Sequence, residues 1–337
     1  MRYFRPISQV GPARPPGAKR LAGGWAWFTH IEVLERGQSP EVMPVEECAP
    51  ADLAPLTARR PPIAGLAFSS PRLMGILNVT PDSFSDGGLH DSVDAALTHA
   101  LGLAQAGADI IDIGGESTRP GAVEVDLGEE IARTIPVIKA ASDRGFQTPI
   151  SIDTRKAPVA RAALDAGASL VNDVSGFSFD PDLAPLCATL SAPVCVMHMQ
   201  GDPSTMQDNP DYDDVLLDVY DALADRIGAL ELAGVPRTRI IADPGIGFGK
   251  TQTHNLAILE RISLFHGLGV PILLGVSRKG MIGRIGLEPD PACRMPGSVA
   301  LGLAALGQGV QMLRVHDVSD TRQAIALWRA AMAINPI

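Results

Sequence analysis

The chain has 337 residues, 46% of them hydrophobic and 20% charged, with 28 Lys+Arg against 38 Asp+Glu. This excludes a wholly disordered chain, because apolar material for a core is ample. The formal net charge of -10 makes the surface a poor partner for nucleic acid or anionic membrane, although a local basic pocket can still hold a small anion.

Four cysteines stand at 48, 187, 195 and 293 with no CxxC pair, and seven histidines are scattered without HxH or HExxH spacing. Reduced thiols are expected, and neither a zinc knuckle nor a histidine-built zinc site. No apolar run approaches the ~18 residues that span a bilayer. No signal-type apolar core follows the basic N-terminus, so a cytoplasmic location is expected.

Residues 1–71 hold 11 of the 28 prolines and two of the three tryptophans. GPARPPGAKR and TARRPPIAG read as linkers. Between them Trp25, Trp27, Thr29, Ile31 and Val33 alternate, which predicts a strand. This segment is an accessory extension. Its residues leave open a cover for the bottom of the following domain, a dimer contact or a docking site for another enzyme.

From 72 to 337 short apolar runs alternate with Ala/Leu-rich stretches. Strands are predicted at 73–77, 109–113, 149–153, 169–173, 193–198, 239–243, 271–276 and 311–315. Helices are predicted near 92–106, 129–144, 156–167, 181–190, 212–233, 254–265, 291–308 and 319–333. Gly107, Gly145, Gly167 and Gly234 fall where helices should stop. Eight β-then-α units predict a (β/α)8 barrel, with a doubly wound open sheet as the alternative.

Chemistry in such barrels gathers at the C-terminal strand ends. Here these ends are Asn78, Asp112, Asp153, Asn172-Asp173, His198, Asp243, Ser277-Arg278-Lys279, and Arg314 with His316. After Asn78 comes TPDSFSDGG, whose Phe84 suits a lid over a flat substrate. After Asp112, Gly114-Gly115 permit close backbone approach, and Ser117, Thr118 and Arg119 form an anion-grasping set. DPGIGFGKT (243–251) is not a P-loop, because GxxxxGK requires glycine where Pro244 stands. His198 is expected to be packed or hydrogen-bonded, and Met197 to line a pocket. Arg314 and His316 alternate and should face the same way.

Taken together, MGILNVTPDSFSDGG, DIIDIGGESTRPGA, SIDT, VNDVSG, MHMQG, DPGIGFGK, SRK and RVHD resemble the dihydropteroate synthase family over about 73–335. The resemblance implies a barrel that joins a dihydropterin diphosphate to 4-aminobenzoate with Mg²⁺, releasing pyrophosphate, in a homodimer. It implies catalytic roles for Asp112, Asp153, Lys279 and Arg314. The pterin would lie among these residues with Asn172, Met197, Asp243 and Phe248. The diphosphate would meet Asn78, Thr118, Arg119, Arg314 and His316. The aminobenzoate would meet Phe84, Arg119, Pro120 and Gly280. Asn78 and Asp86 are the implied metal ligands. Gly280 departs from a serine often found after SRK, which predicts weaker aminobenzoate binding. A methyltetrahydrofolate-type methyltransferase would share the pterin edge but has no use for the anion set. A non-catalytic pterin-binding paralogue should have lost one of the two loops, and both are whole here.

Overall fold

Alternation along eight short strands sends one set of side chains into a barrel and the other against helices. The computed structural model describes residues 1–79, 89–117, 121–202 and 205–334. Before the barrel come β1 (Arg2–Pro6), β2 (Lys19–Arg20), β3 (Trp27–Phe28), β4 (His30–Glu35), β5 (Glu41–Pro44) and α1 (Pro50–Thr57). The barrel then runs β6 (Arg72–Asn78), α2 (Leu89–Gln105), β7 (Ile110–Gly114), α3 (Leu127–Asp143), β8 (Ile150–Asp153) and α4 (Ala157–Ala166). It continues with β9 (Leu170–Asp173), α5 (Leu183–Thr189), β10 (Val194–Met197), α6 (Val215–Leu232), β11 (Ile240–Asp243) and α7 (Gln252–Glu260). A 3₁₀ stretch (Ile262–Leu268) leads to β12 (Leu273–Leu274), α8 (Gly280–Ile285), α9 (Met295–Gly307), β13 (Met312–Val315) and α10 (Val318–Ala331).

The eight strands are ordered β11-β10-β9-β8-β7-β6-β13-β12, and the pairs within that order are parallel. A parallel bridge between Ala242 and Ile272 closes the ring. This is the predicted (β/α)8 architecture. The seventh strand is shorter than predicted, and α8 is an additional turn of helix. Helix stops fall as predicted: Gly107, Gly145, Gly167 and Gly234 all take positive φ, a conformation that glycine adopts without a Cβ penalty.

Inside the barrel two layers differ in chemistry. Met74, Ile110, Leu170, Cys195, Ile241, Leu273 and Met312 form a buried apolar floor. One strand period further on stand Asp112, Asn172, Met197, Asp243, Gly275 and Arg314, so period 2 carries the chain from floor to polar mouth. The floor is sealed from below by Ile63, Leu66 and Phe68. TARRPPIAG is therefore not a slack linker. Arg60 and Ile63 within it are buried at 3% and 2% exposure.

The rest of the extension lies along the barrel's flank, not under it. β1, β4 and β5 form an antiparallel sheet beside the Ile262–Leu268 stretch and α6. Tyr3 donates to Asp221 at 2.8 Å, and Arg36 bridges Asp218 and Asp221. Trp25 and Trp27 are both buried, and Trp25 Nε1 donates to the Leu306 carbonyl at 2.8 Å. The strand predicted through Trp25–Val33 breaks at Thr29, between β3 and β4.

Candidate active site

The mouth of the barrel assembles the predicted strand-end residues into two adjoining groups. Arg314 is the hub of the first. Its Nε donates to Asp112 Oδ2 at 2.6 Å and its Nη2 to Asp153 Oδ2 at 2.7 Å. Asn172 Nδ2 donates to the same Asp112 oxygen at 3.0 Å. Asp112 is fully buried, and its Oδ1 has no protein partner among the described residues. Burial pushes the Asp153 carboxyl upward; Arg314 opposes that and the Asp112 charge adds to it. Two carboxylates in a water-poor mouth favour cationic charge placed between them. Asn78 stands at the rim, where a Cβ on Gly114 would meet Asp153 and Asn78 at 3.4 and 3.8 Å.

The second group is Asp243, Met197, Phe248 and Lys279. Asp243 Oδ1 accepts from the Gly245 N–H at 2.8 Å, and burial raises its pKa against the pull of that bond and of Lys279. Lys279, the residue before α8, lies over the Phe248 ring at 4.0 Å, a cation–π contact. A Cβ on Gly275 would stand 3.8 Å from Asp243 Oδ2 and 3.9 Å from Arg314 Cβ. The small residue therefore keeps the space between the two groups open, a role its sequence context did not announce.

Several strand-end and loop residues also make contacts within the protein. Arg278 takes a positive φ and turns to Asp317, with Nε donating at 3.1 Å. Within SRK only Lys279 faces Phe248. His316 lies against Ser277 Oγ, 2.9 Å from Nδ1. Asp173, adjacent to Asn172, points out of the barrel and accepts from the Ser175 and Phe177 amides at 2.7 Å each. Gly115 is tight against α3 instead of a ligand, since a Cβ there would be 2.8 Å from Thr134 Cγ2. His198 is half-buried and hydrogen-bonded to Lys250. Phe84, Asp86, Thr118, Arg119 and Pro120 lie outside the described residues.

Two arrangements went unforeseen. Lys156 Nζ joins Glu116, Glu130 and the Val125 carbonyl at 2.9, 2.8 and 2.5 Å, and Arg155 also pairs with Glu116. This buried cluster ties the Gly114–Ser117 turn to α3 and α4. Lys250 is the other, enclosed by carbonyls. Only an isolated charge beside an apolar or Gly-rich run signals either in the sequence.

No group of three or more His, Cys, Asp or Glu suited to a metal occurs among the described residues. Asn78 offers one neutral oxygen at the rim. A magnesium ion that draws most of its ligands from phosphate and water needs no more from protein, so the donor set fits an ion arriving with a diphosphate. No helix among the described residues is long and apolar enough to cross a membrane.

The family model described as "Pterin binding enzyme" matches residues 74–316. Dihydropteroate synthase of Escherichia coli (strain K12) is 46% identical over 268 residues, covering 80% of this chain and 94% of its own. That of Synechocystis sp. is 46% identical over 261 residues, covering 76% and 90%. Among solved structures, Xanthomonas albilineans dihydropteroate synthase with 4-aminobenzoic acid matches with a TM-score of 0.75 and 47% identity, over 81% of this chain and 97% of that one. The same protein in complex with 7,8-dihydropteroate matches with a TM-score of 0.73 and 44% identity, over 80% and 97%. A fifth of this chain thus falls outside relatives that are themselves matched almost end to end. The chain is a transferase belonging to the dihydropteroate synthase family of pterin-binding enzymes.

Proposed function

We propose that this chain condenses (7,8-dihydropterin-6-yl)methyl diphosphate with 4-aminobenzoate, giving 7,8-dihydropteroate and pyrophosphate, as a cytoplasmic homodimer. The observation that carries this reading is the Asp112–Arg314–Asp153 cluster facing Asp243 and Lys279 across Gly275. The pterin edge presents an amino group and a ring N–H as parallel donors, which one carboxylate can accept in its plane. Asp243 takes that role, with Asn172 and Asp153 completing the edge and Lys279 meeting the carbonyl side. Met197 and Phe248 pack the flat faces.

The C–O bond to the diphosphate breaks with its electron pair leaving on oxygen, and the positive charge spreads into the dihydropterin ring. Asp112 and Asp153 favour that charge in a site largely closed to water. Asn78, Thr118, Arg119, Arg314 and His316 hold the departing diphosphate. Mg²⁺ bound to the diphosphate, with Asn78 and Asp86 as its protein ligands, would neutralise charge on the leaving group. The arylamine nitrogen attacks unprotonated and then loses its proton, so no strong base is required. Phe84, Arg119 and Pro120 frame the aminobenzoate ring, with Gly280 at its carboxylate.

Pyrophosphate release from the dihydropterin diphosphate, measured with Mg²⁺ and with or without 4-aminobenzoate, tests the reading. Release coupled to dihydropteroate and abolished by EDTA is expected. Binding of the diphosphate without pteroate formation would instead favour a binding paralogue.

A further inference from the structure

The mechanism leaves several buried charged side chains unused, Lys250 among them. Lys250, the last residue of DPGIGFGK, is 2% exposed. A lysine in a glycine-rich loop invites a phosphate-binding role, but its ammonium points back into its own loop. Nζ lies 2.8 Å from His198 Nδ1, 3.0 Å from the Gly245 carbonyl, 3.0 Å from the Phe248 carbonyl and 3.3 Å from the His198 carbonyl. No carboxylate is among these partners. Burial lowers the Lys250 pKa to about 7; as an ammonium Nζ has only hydrogens to give, and His198 Nδ1 is then the acceptor with the ring proton on Nε2. Burial and the Lys250 charge hold the imidazole neutral, with its pKa lowered to about 2.

The loop so gripped bears directly on the site. It starts at Asp243 and carries Phe248. It also presses on the exit of β10: a Cβ on Gly245 would sit 1.9 Å from the His198 carbonyl oxygen, and one on Gly249 would sit 2.4 Å from that of Gln200. The carbonyls of His198, Gly245 and Phe248 converge on one point and need a shared donor there, because unpaired they repel and lose their hydration. Lys250 is that donor. Around it, Asn255 Oδ1 accepts from the Gly247 N–H at 2.7 Å and Tyr212 donates to the Gly249 carbonyl at 2.7 Å.

We infer that Lys250, seated on His198, is a positioning residue for the pterin subsite: it fixes the Asp243–Gly249 loop so that Asp243 and Phe248 meet one substrate, while taking no part in aminobenzoate binding or in bond breaking. The inference rests on the function proposed above for its kinetic consequence, and on geometry alone for its effect on the loop.

Lys250→Met keeps the bulk and removes the donors. Two measurements on the full-length enzyme test it. Hydrogen exchange should accelerate at the Gly245, Gly247 and Phe248 amides and not at distant helices. KM for the dihydropterin diphosphate should rise on the order of tenfold, as expected when a supporting group lets a substrate contact drift by a fraction of an ångström. KM for 4-aminobenzoate should stay within about twofold. Unchanged exchange in the loop, or equal rises in both KM values, would overturn the inference. If the parent enzyme makes no pteroate, the proposed function fails while exchange still decides the part played by Lys250. Should Lys250→Met not fold, His198→Leu removes one of the four acceptors and should shift both readouts the same way by less. His198→Asn, which keeps an acceptor, should restore them; identical behaviour of the two His198 variants would count against the inference.

Discussion

Gly280 opens α8 where the resemblance leads one to expect a serine hydroxyl. A Cβ added there meets only the Arg284 guanidinium, at 3.3 Å, the far end of a flexible side chain already held at Gln252. Gly280→Ser should therefore fold unchanged and supply one further donor to a carboxylate. One hydrogen bond of about 1 kcal/mol corresponds to roughly fivefold tighter 4-aminobenzoate and sulfonamide binding, read as KM and Ki; unchanged values would remove the hydroxyl from the account. A second residue, far from the site, sets acid stability. His266 is buried, and its Nε2 hydrogen-bonds the Gln308 carbonyl at 3.1 Å while Nδ1 has no partner among the described residues. A second ring proton would be buried without an acceptor, so burial first, and then the Arg60 charge, lower its pKa to about 3. The folded value lies below the unfolded one near 6.5. The unfolded chain therefore takes up the proton first, and this contribution is complete above pH 6.5 and is lost as pH falls towards 3. Asp153, Asp173 and Asp243, all raised, have the opposite slope, so the comparison must be with His266→Leu, in which they cancel. Between pH 7 and 5, urea unfolding should show the parent losing about 2 kcal/mol more stability than the variant. Equal losses would mean that His266 titrates normally.

Helix α9 raises a different question, because an outer barrel helix should be polar on its solvent side. Met295–Gly307 has no charged side chain at all. One face, Ser298, Gly302, Ala305 and Leu306, is buried on the barrel, yet the other is also apolar: Pro296, Ala300 and Ala304 are exposed, with Val299 and Leu303 half-buried. On either side α7 exposes Leu256 at 41% and α10 exposes Leu327 at 67%. An apolar face of this kind is the seat proposed for the second subunit, self-complementary about a two-fold axis. Ala300→Arg and Ala304→Arg, which place charges in that face, should halve the mass found by light scattering; a parent that is already monomeric, or variants that stay dimeric, would dismiss the face. The sequence made the elements legible for a reason that α9 also illustrates. Parallel strands buried on both sides stand out as short apolar runs, and helix stops are marked by Gly107, Gly167 and Gly234, so the eight units could be counted. Polar residues at strand ends, such as Asp112 and Arg314, then located the mouth. Orientation was less legible: adjacent Asn172 and Asp173 look alike in sequence, and only strand parity sends one inward and the other to cap a loop. Lys250 and the Glu116–Lys156 cluster were hidden because their partners are backbone carbonyls or residues distant in the chain.

For the molecule as a whole, the extension divides into two parts with different physical consequences. The sheet of β1, β4 and β5 covers a flank of helices and the 3₁₀ stretch, while Ile63, Leu66 and Phe68 close the barrel's apolar floor. Removing residues 1–47 takes β1 off the Ile262–Leu268 stretch and withdraws Trp25, Phe28 and Ile31 from the shared core. It leaves α1, and with it the Arg60 guanidinium, whose Nη2 donates at 2.8 Å to the carbonyls of Pro55 and His266. That truncation should fold with a lowered melting temperature, associate through the bared flank, and keep its kcat/KM, since among the described residues no side-chain hydrogen bond of residues 1–47 reaches a residue of the mouth. Removing residues 1–70 also opens the floor, so Met74, Ile110, Leu170, Ile241 and Met312 would meet water. Each large apolar side chain so exposed forfeits about 1.5–3 kcal/mol, and several together exceed the 5–15 kcal/mol that holds an ordinary domain. The longer truncation should therefore lack a cooperative melting transition and bind a hydrophobic dye. If it melts as sharply and as high as the shorter one, residues 63–68 do not seal the barrel, and its floor must be stable on its own side chains.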